Sequence, residues 1–564
     1  MPEGAEQKPE EQPGPSEYAE SPQQNGHDEP SPPLEKQTTG GPQMSVWELT
    51  VLFGAVFFSV FLMALNGSIV ATAIPRITSH FKSLEDIGWY GSASLISTCC
   101  LQPLVGKIYT HFPIKHTYVT FMSIFTIGSV IAGAATSSNM LIGGRAVQGV
   151  GAAGMINGAF TTIASSAPEN QKPMFTGVGM ALATVGQVIG PTIGGALTQN
   201  VSWRWCFYIN LPPAGVVLLV LMTINIQEQT EKKPVRSNWK HIVTSELDLI
   251  GFGLFAPASA MLLLAVIWGG NKFAWDSSTI IGLFCGSFIT YIIFAAWQIH
   301  RGEKAMIPPR IIRKKLVVAG CATNFLVMAS NLSLSYYLPL WFQVVKDASP
   351  TMSGVDLLPT AIAQSFGALA AGRFVQVLRY CAPWAIFGCM ISAVGSGLMT
   401  TFTPSTGTGV WIGYQILVGT GRASVFQMPL TAIQGFLPKK EQAMATSQVF
   451  FFQYLGGTIF LALAETIFTS SLRSALHHDA PGVDAERVID AGASAVRSVV
   501  TKAALPGVLQ AYNHAIVDTF YLAVGGTCGA FFVCFGLGWQ KLPQKETKKN
   551  DKGEGLERTA SNIA

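Results

Sequence analysis

Two arginines stand in stretches too apolar to keep a guanidinium in water. Arg145 is followed three residues later, on the same side of a helix, by Gln148 and then by Gly149 and Gly151. Arg422 lies in Gly419-Thr-Gly-Arg-Ala-Ser-Val-Phe-Gln427. Such a charge costs about 2.5–3.5 kcal/mol at the centre of a bilayer helix, so it should face a water-filled cavity. A guanidinium keeps its proton, so either residue can act as a fixed charge that organises water or biases an acid, not as a proton carrier. For Arg145 the plain alternative is snorkelling to headgroups from about 9 Å deep; Arg422 sits too near mid-membrane for that.

The amides Asn66, Asn157, Asn324, Asn331, Gln415 and Gln427 also fall in apolar blocks. Each can orient a substrate by hydrogen bonds, or simply tie two helices together. Glu465 is the carboxylate read as lying more than about a turn inside a span, in its outer third. It is the candidate for loading a proton outside and releasing it inside; the plain alternative is an interfacial acid with no role.

The segment Gly186-Gln-Val-Ile-Gly190-Pro191-Thr-Ile-Gly194-Gly195 sets Gly186, Gly190 and Gly194 four residues apart, a smooth stripe that lets a second helix come close. Pro191 removes one ladder hydrogen bond and bends the helix. Five matched positions are more specific than a lone small-residue pair and favour a functional crossing over plain packing. Asp248 and Asp518 begin predicted spans and read as helix caps. The aromatics of Trp203-Arg-Trp205-Cys-Phe207-Tyr208 read as an interface belt.

No Walker A, HExxH or strand-borne GxSxG motif is present, so neither an enzyme nor a self-contained ATP-driven pump is indicated. The nine cysteines lie in or beside apolar blocks, without CxxC or histidine at ligand spacing, and predict neither disulfides nor a metal site. No cofactor is expected, and no nucleic acid.

The elements that must carry these residues follow from composition. The chain is 49% hydrophobic and 12% charged, with mean hydropathy +0.37, where soluble proteins carry about 25% charged residues. Its apolar residues gather in blocks of about 20, each long enough to cross about 30 Å of hydrocarbon as a helix. Lipid offers no backbone partners, and the alternating pattern of barrel strands is missing, so the fold class is all-α polytopic membrane protein. About fourteen spans are expected, near 48–73, 88–110, 117–136, 140–164, 174–198, 205–225, 247–268, 279–299, 317–341, 355–378, 384–403, 410–434, 444–468 and 516–539.

Gly149 to Ile163 is echoed by Gly419 to Ile433, and Gly106-Lys107-Ile108 by Gly372-Arg373-Phe374. The echoes predict two six-helix halves, 44–226 and 301–540, with an outer loop near 470–515. A cytosolic linker, 227–246, and two inserted transmembrane helices, 247–300, come between them. Parallel repeats of this kind are a transporter architecture. The tail 1–43, with nine acids against two lysines and almost no aliphatic residues, should be disordered, and 541–564 is read as a cytosolic tail. With no apolar stretch near Met1, the first span is expected to direct insertion. Lys107, Lys115, Lys172, Lys232, Arg301, Lys304, Arg310, Lys314, Arg373, Lys439 and Lys440 fall on one side, against Arg76, Lys82, Arg204, Lys272 and Lys346 opposite, which puts both termini in the cytosol.

Over residues 45–540 these motifs resemble the major facilitator superfamily, in its fourteen-span drug:proton antiporter branch. Gly186 to Gly195 resembles the antiporter motif of the fifth span, and Arg145, Gln148, Gly149 and Gly151 that of the fourth. Trp203 through Pro212 resembles the entrance to the sixth. Leu65-Asn66-Gly67-Ser68-Ile69-Val70 with Pro75 is similar to the first-span motif, and Gly106-Lys107-Ile108-Tyr109-Thr110 to the loop after the second. The set looks most like fungal efflux pumps for mycotoxins and other secondary metabolites. The resemblance implies proton-coupled export of a small lipophilic molecule by a monomer in the plasma membrane, with the vacuole as an alternative site. Siderophore or nutrient uptake, a non-transporting sensor and a membrane-embedded enzyme are the rival readings. Two departures matter: Thr110 stands where the superfamily has an aspartate, and Asn66 replaces the acid of the first span, removing one group that could carry a proton.

Overall fold

The computed structural model of the protein describes residues 45–82, 86–224, 226, 228, 232, 242–270, 272–489, 496–497 and 500–543. The readings made of the tail 1–43, most of the 227–241 linker and the tail beyond 543 fall outside them. The described residues are helical throughout apart from turns and one isolated bridge. The first six long helices are α1 (Val46–Ile69), α3 (Ile87–His111), α4 (Ile114–Gly133), α5 (Ser138–Ser166), α6 (Lys172–Asn200) and α8 (Leu211–Thr223), with short α2 (Ile74–Phe81) and α7 (Trp205–Tyr208) between. Then come α9 (Leu249–Trp268), α10 (Ser278–Arg301), short α11 (Pro309–Ile312), α12 (Lys315–Val344), short α13 (Pro350–Asp356), α14 (Leu358–Leu378), α15 (Ala382–Met399), α16 (Thr408–Phe436), α17 (Lys439–Asp479) and α18 (Leu505–Cys534). Serine caps start several of them: Ser137 accepts from Met140 N before α5, and Ser277 from Ile280 N before α10.

Among the described residues, 11 helices are long and apolar enough to cross a membrane. The long helices that fall short are α3, α5 and α16, which carry Gln102 and Lys107, Arg145, Gln148 and Asn157, and Gln415, Arg422 and Gln427. Two of these three have a stretch withdrawn from the surface altogether. Every residue from Gly151 to Ala164 in α5 and from Gly421 to Gln434 in α16 is buried, and these are the segments that echo each other in sequence. A helix buried on all sides needs no uniformly apolar surface.

Among the six long helices from α1 to α8, called here the first half, α1 packs on α6, and α5 on α3 and α4; among the six from α12 to α18, called the second, α16 lies between α14 and α15, and α12 packs on α17 and α18. The halves meet along α3 with α17 and α6 with α14. Both crossings depend on glycine. A Cβ on Gly106 would lie 2.2 Å from Ser447 Oγ, and one on Gly372 would lie 2.7 Å from the Pro173 carbonyl oxygen. On Gly177 it would lie 2.5 Å from the Ala368 carbonyl oxygen. The echoed Gly106 and Gly372 thus occupy corresponding positions in the two crossings.

The inserted α9 and α10 pack on each other, with α9 against α3 and α17. Lys107, 2% exposed, donates to the carbonyls of Glu246 at 3.0 Å and Lys304 at 2.8 Å, clamping both segments that flank the insert. Asp248 is more than the expected cap of α9. Its carboxylate accepts from Gly251 N at 3.1 Å, Trp297 Nε1 at 2.7 Å, Gln298 Nε2 at 2.9 Å and Met306 N at 2.8 Å. Glu441, opening α17, accepts from Arg310 and Lys314. These residues mark a basic end of the bundle. α17 runs on to Asp479 and α18 begins at Leu505, so helix covers part of the stretch read as polar loop. Asp518 therefore lies inside α18, where Ser471 donates to it, and is not a cap.

Burial pushes the Asp248 carboxyl up, but the four hydrogen bonds outweigh it and hold the group below its ordinary value of 3.8. A depressed carboxyl adds stability above its unfolded pKa and loses it as pH falls through the lower folded value. Asp248→Ala is expected to cost about 3 kcal/mol, read as a lower melting midpoint in detergent. The deficit should stay constant from about pH 5 to 8 and narrow only in stronger acid. An unchanged midpoint would contradict this account of the insert's attachment.

Candidate functional site

Arg145 sits 2% exposed at the centre of a polar chain that joins five elements of the first half. Its Nε donates to the Tyr90 carbonyl at 2.9 Å and its Nη1 to Gln148 Oε1 at 2.9 Å. Gln148 Nε2 donates to Ser129 Oγ at 2.8 Å and to Asn66 Oδ1 at 3.3 Å, and Asn210 Nδ2 reaches the same Asn66 oxygen at 3.2 Å. Asn66 is therefore an acceptor within the arginine's own network. The next glycines bring the neighbours in: a Cβ on Gly149 would lie 2.3 Å from the Ser94 carbonyl oxygen, and on Gly151 2.4 Å from Phe125 N. Arg145 is thus enclosed by protein, neither snorkelling nor opening on a wide cavity.

The glycine stripe of α6 faces α1. A Cβ would approach the Phe61 carbonyl oxygen to 2.6 Å from Gly186, Ser68 Oγ to 2.0 Å from Gly190, and the Ile69 carbonyl oxygen to 2.5 Å from Gly194. Gly195 has nothing within 4 Å of the same position. Pro191 lies inside an α6 that stays helical through it. The stripe closes on the helix carrying Asn66, so the motif of α6 and the Arg145 network share one wall. Trp203 departs from the belt reading: it is buried against Phe81 and Phe207, with Arg204 stacked on it at 4.4 Å.

In the second half Arg422, 3% exposed, donates from Nη2 to Gln364 Oε1 at 3.1 Å; its Nη1 lies 3.4 Å from the Ser330 and Asn331 carbonyls, and its Nε has no partner. Gln364 in turn donates to Thr184 Oγ1 of α6 at 3.2 Å, which links Arg422 to the first half. Gln415 is structural: it accepts from Thr360 at 2.7 Å and donates to the Asp356 carbonyl at 2.8 Å, pinning α14 to α16. Asn324 donates to Gln453 at 3.3 Å, while Asn331 reaches only Met328 Sδ at 3.7 Å. Glu465 is half-buried beside Tyr337 and pairs with no cation within 4.0 Å among the described residues.

The enclosed stretches of α5 and α16 form the third part. Asn157 donates to Gln102 at 3.2 Å, Thr176 to Gln434 Oε1 at 3.2 Å, and Gln434 to the Phe160 carbonyl at 3.3 Å. Both polar atoms of Gln427, with Asn157 Oδ1, Thr161 Oγ1 and Thr431 Oγ1, are buried without a protein partner. Asn157 and Thr161 are the repeat equivalents of Gln427 and Thr431. A buried unsatisfied group costs about 1–3 kcal/mol, so this layer is not optimised for one static packing. Gln102, Gln364 and Gln434 are not among the candidates read from the sequence, and Asn210 enters there only as part of the Trp203–Pro212 stretch. Their signal was the same as that of the amides named there, a polar side chain inside an apolar block. A cavity of about 1110 Å³ opens at the end away from the basic end, between α12, α13, α14 and α16, against Phe342, Asp356, Ala363, Trp411 and Ile416.

The sequence model described as Major Facilitator Superfamily matches residues 56–461. The chain belongs to that superfamily. It is 47% identical over 509 residues to the MFS-type transporter pigP of Monascus ruber, covering 90% of this chain and 89% of the relative. It is 45% identical over 507 residues to the efflux pump mlcE of Penicillium citrinum, covering 88% and 91%. Against the efflux pump mokI of Monascus pilosus it is 44% identical over 497 residues, covering 87% and 92%. Among solved structures, the proton:xylose symporter XylE matches with TM-score 0.58 at 13% identity, covering 88% of this chain and 98% of that one. The human organic anion transporter MFSD10 matches with TM-score 0.55 at 11% identity, covering 88% and 100%. The resemblance read from the motifs is met: this is an all-helical transporter of the superfamily, not an enzyme, and its relatives are fungal efflux pumps.

In this superfamily member Gly190→Leu and Gly194→Leu are expected to lower transport at least tenfold while leaving membrane abundance intact, since each drives α6 off α1. Gly195→Ala meets open space and should transport normally. Vesicle transport normalised to protein distinguishes them; normal transport by Gly194→Leu would return the stripe to plain packing.

Proposed function

We propose that the protein is a secondary active exporter of a small lipophilic metabolite, toxin or drug, driven by proton antiport. Similarity of 44–45% along nearly the whole chain to two named efflux pumps is the observation that carries this reading. The full glycine motif of α6, closed on the helix that holds Asn66, supports it. Arg145 acts as the fixed charge of the first half. Asn157 and Gln427, with unsatisfied atoms on repeat-related helices, meet the cargo's polar groups as the halves part.

Asn66 cannot carry a proton, and Glu465 takes that role in this proposal. It is half-buried, without an ion pair among the described residues, and on α17, which forms one of the crossings between halves. The working molecule is a monomer in the plasma membrane, with halves at 44–226 and 301–540 and the inserted helices 247–300 between them. Both termini face the cytosol, which makes the basic end the cytosolic one.

In inside-out vesicles an imposed pH gradient should drive cargo uptake by the wild type. Glu465→Gln should lose the gradient response while substrate exchange persists. Gradient-driven uptake unchanged in that variant excludes Glu465, and loss of exchange too indicates damage to folding or binding. Tags at residue 8 and residue 273 should be reached from opposite sides of the membrane; labelling from the same side would sink the topology.

A further inference from the structure

Arg422 is the fifteenth of the 29 residues of α16, about 21 Å from either end, and among the described residues no carboxylate lies within 4.0 Å of it. Its donors are poorly spent. One bond, to Gln364 at 3.1 Å, has ordinary geometry; two contacts to backbone carbonyls are long at 3.4 Å, and Nε has none. Arg145 differs, with Nε and Nη1 both engaged at 2.9 Å. A guanidinium held in low dielectric with neither counter-ion nor full hydrogen bonding is expensive, and the cost falls when an anion joins it.

We infer that Arg422 is the anion-binding residue of the cargo site and that the exported molecule carries a single carboxylate. This rests on the export reading. The edge formed by Nε and a terminal nitrogen suits the bidentate fork of a carboxylate. A doubly charged phosphate would bring a second charge with no partner. Gln364, half-buried and reaching both Arg422 and Thr184 of the other half, senses whether the site is filled.

The test uses the source organism with the gene deleted and then restored as wild type, Arg422→Lys or Arg422→Gln. Metabolites that vanish from the medium on deletion are passed over an anion-exchange resin at neutral pH. They are expected to be retained, to return fully with wild type and partly with Arg422→Lys, and to stay at least tenfold lower with Arg422→Gln at equal membrane abundance. Vanished metabolites that are neutral or cationic overturn the inference, as does full return with Arg422→Gln. Should Arg422→Gln fail to fold, the charge of the vanished metabolites decides alone. A medium unchanged by deletion defeats the export reading, and this inference with it.

Discussion

Polar groups inside a bilayer have only each other for partners, and that constraint orders this bundle from its centre outwards. Two guanidiniums and a set of amides must be kept from lipid, so the helices that carry most of them, α5 and α16, are wrapped by neighbours along their middle. Wrapping requires close backbone approach, and close approach requires glycine. Gly149 and Gly151 admit α3 and α4, and Gly388 and Gly421 let α15 and α16 touch. The apolar stripes of the outer helices then face the lipid by default.

The same constraint explains why the surroundings of the two arginines differ in how well they are satisfied. In the first, Arg145, Gln148, Asn66 and Asn210 form a closed chain with few atoms left over, a scaffold that holds its charge in one place. In the second, Arg422 and Gln427 keep unspent donors and acceptors. The halves meet along close crossings with glycine against oxygen, Gly106 on Ser447 and Gly372 on Pro173. A closed network around Arg145, an unsatisfied layer shared by α5 and α16, and close crossings between the halves are what a rocking transporter needs. The inserted α9 and α10, stapled by Asp248 and clamped by Lys107, brace the seam of α3 with α17 at the basic end.

Much of this was legible in the residues themselves. Apolar blocks gave the helices, and the echo of Gly149–Ile163 in Gly419–Ile433 marked the pair of segments that the fold encloses. Hydropathy alone would have missed α3, α5 and α16, because helices shielded by other helices need not be greasy. The stripe Gly186, Gly190, Gly194 declared a close crossing, but periodicity cannot say that the partner is α1. Asp248 reads as a cap because capping is a local signal; its bonds to Trp297, Gln298 and Met306 span 49 to 58 residues. Asp518 departs from its cap reading for the opposite reason, since a polar stretch that continues as helix looks like the end of a span. Trp203, an interface residue by composition, is buried because α2 and α7 fold over it.

The claim on which the account turns is that the enclosed layer of α5 and α16 opens to one side of the membrane at a time. A single cysteine at Gln427, in a background without the native cysteines, can be probed with a membrane-impermeant thiol reagent from either side of oriented vesicles. The account predicts labelling from one side only under a given gradient, switching to the other side when the gradient is reversed or cargo is added. Labelling from both sides at once, or from neither under any condition, would contradict it.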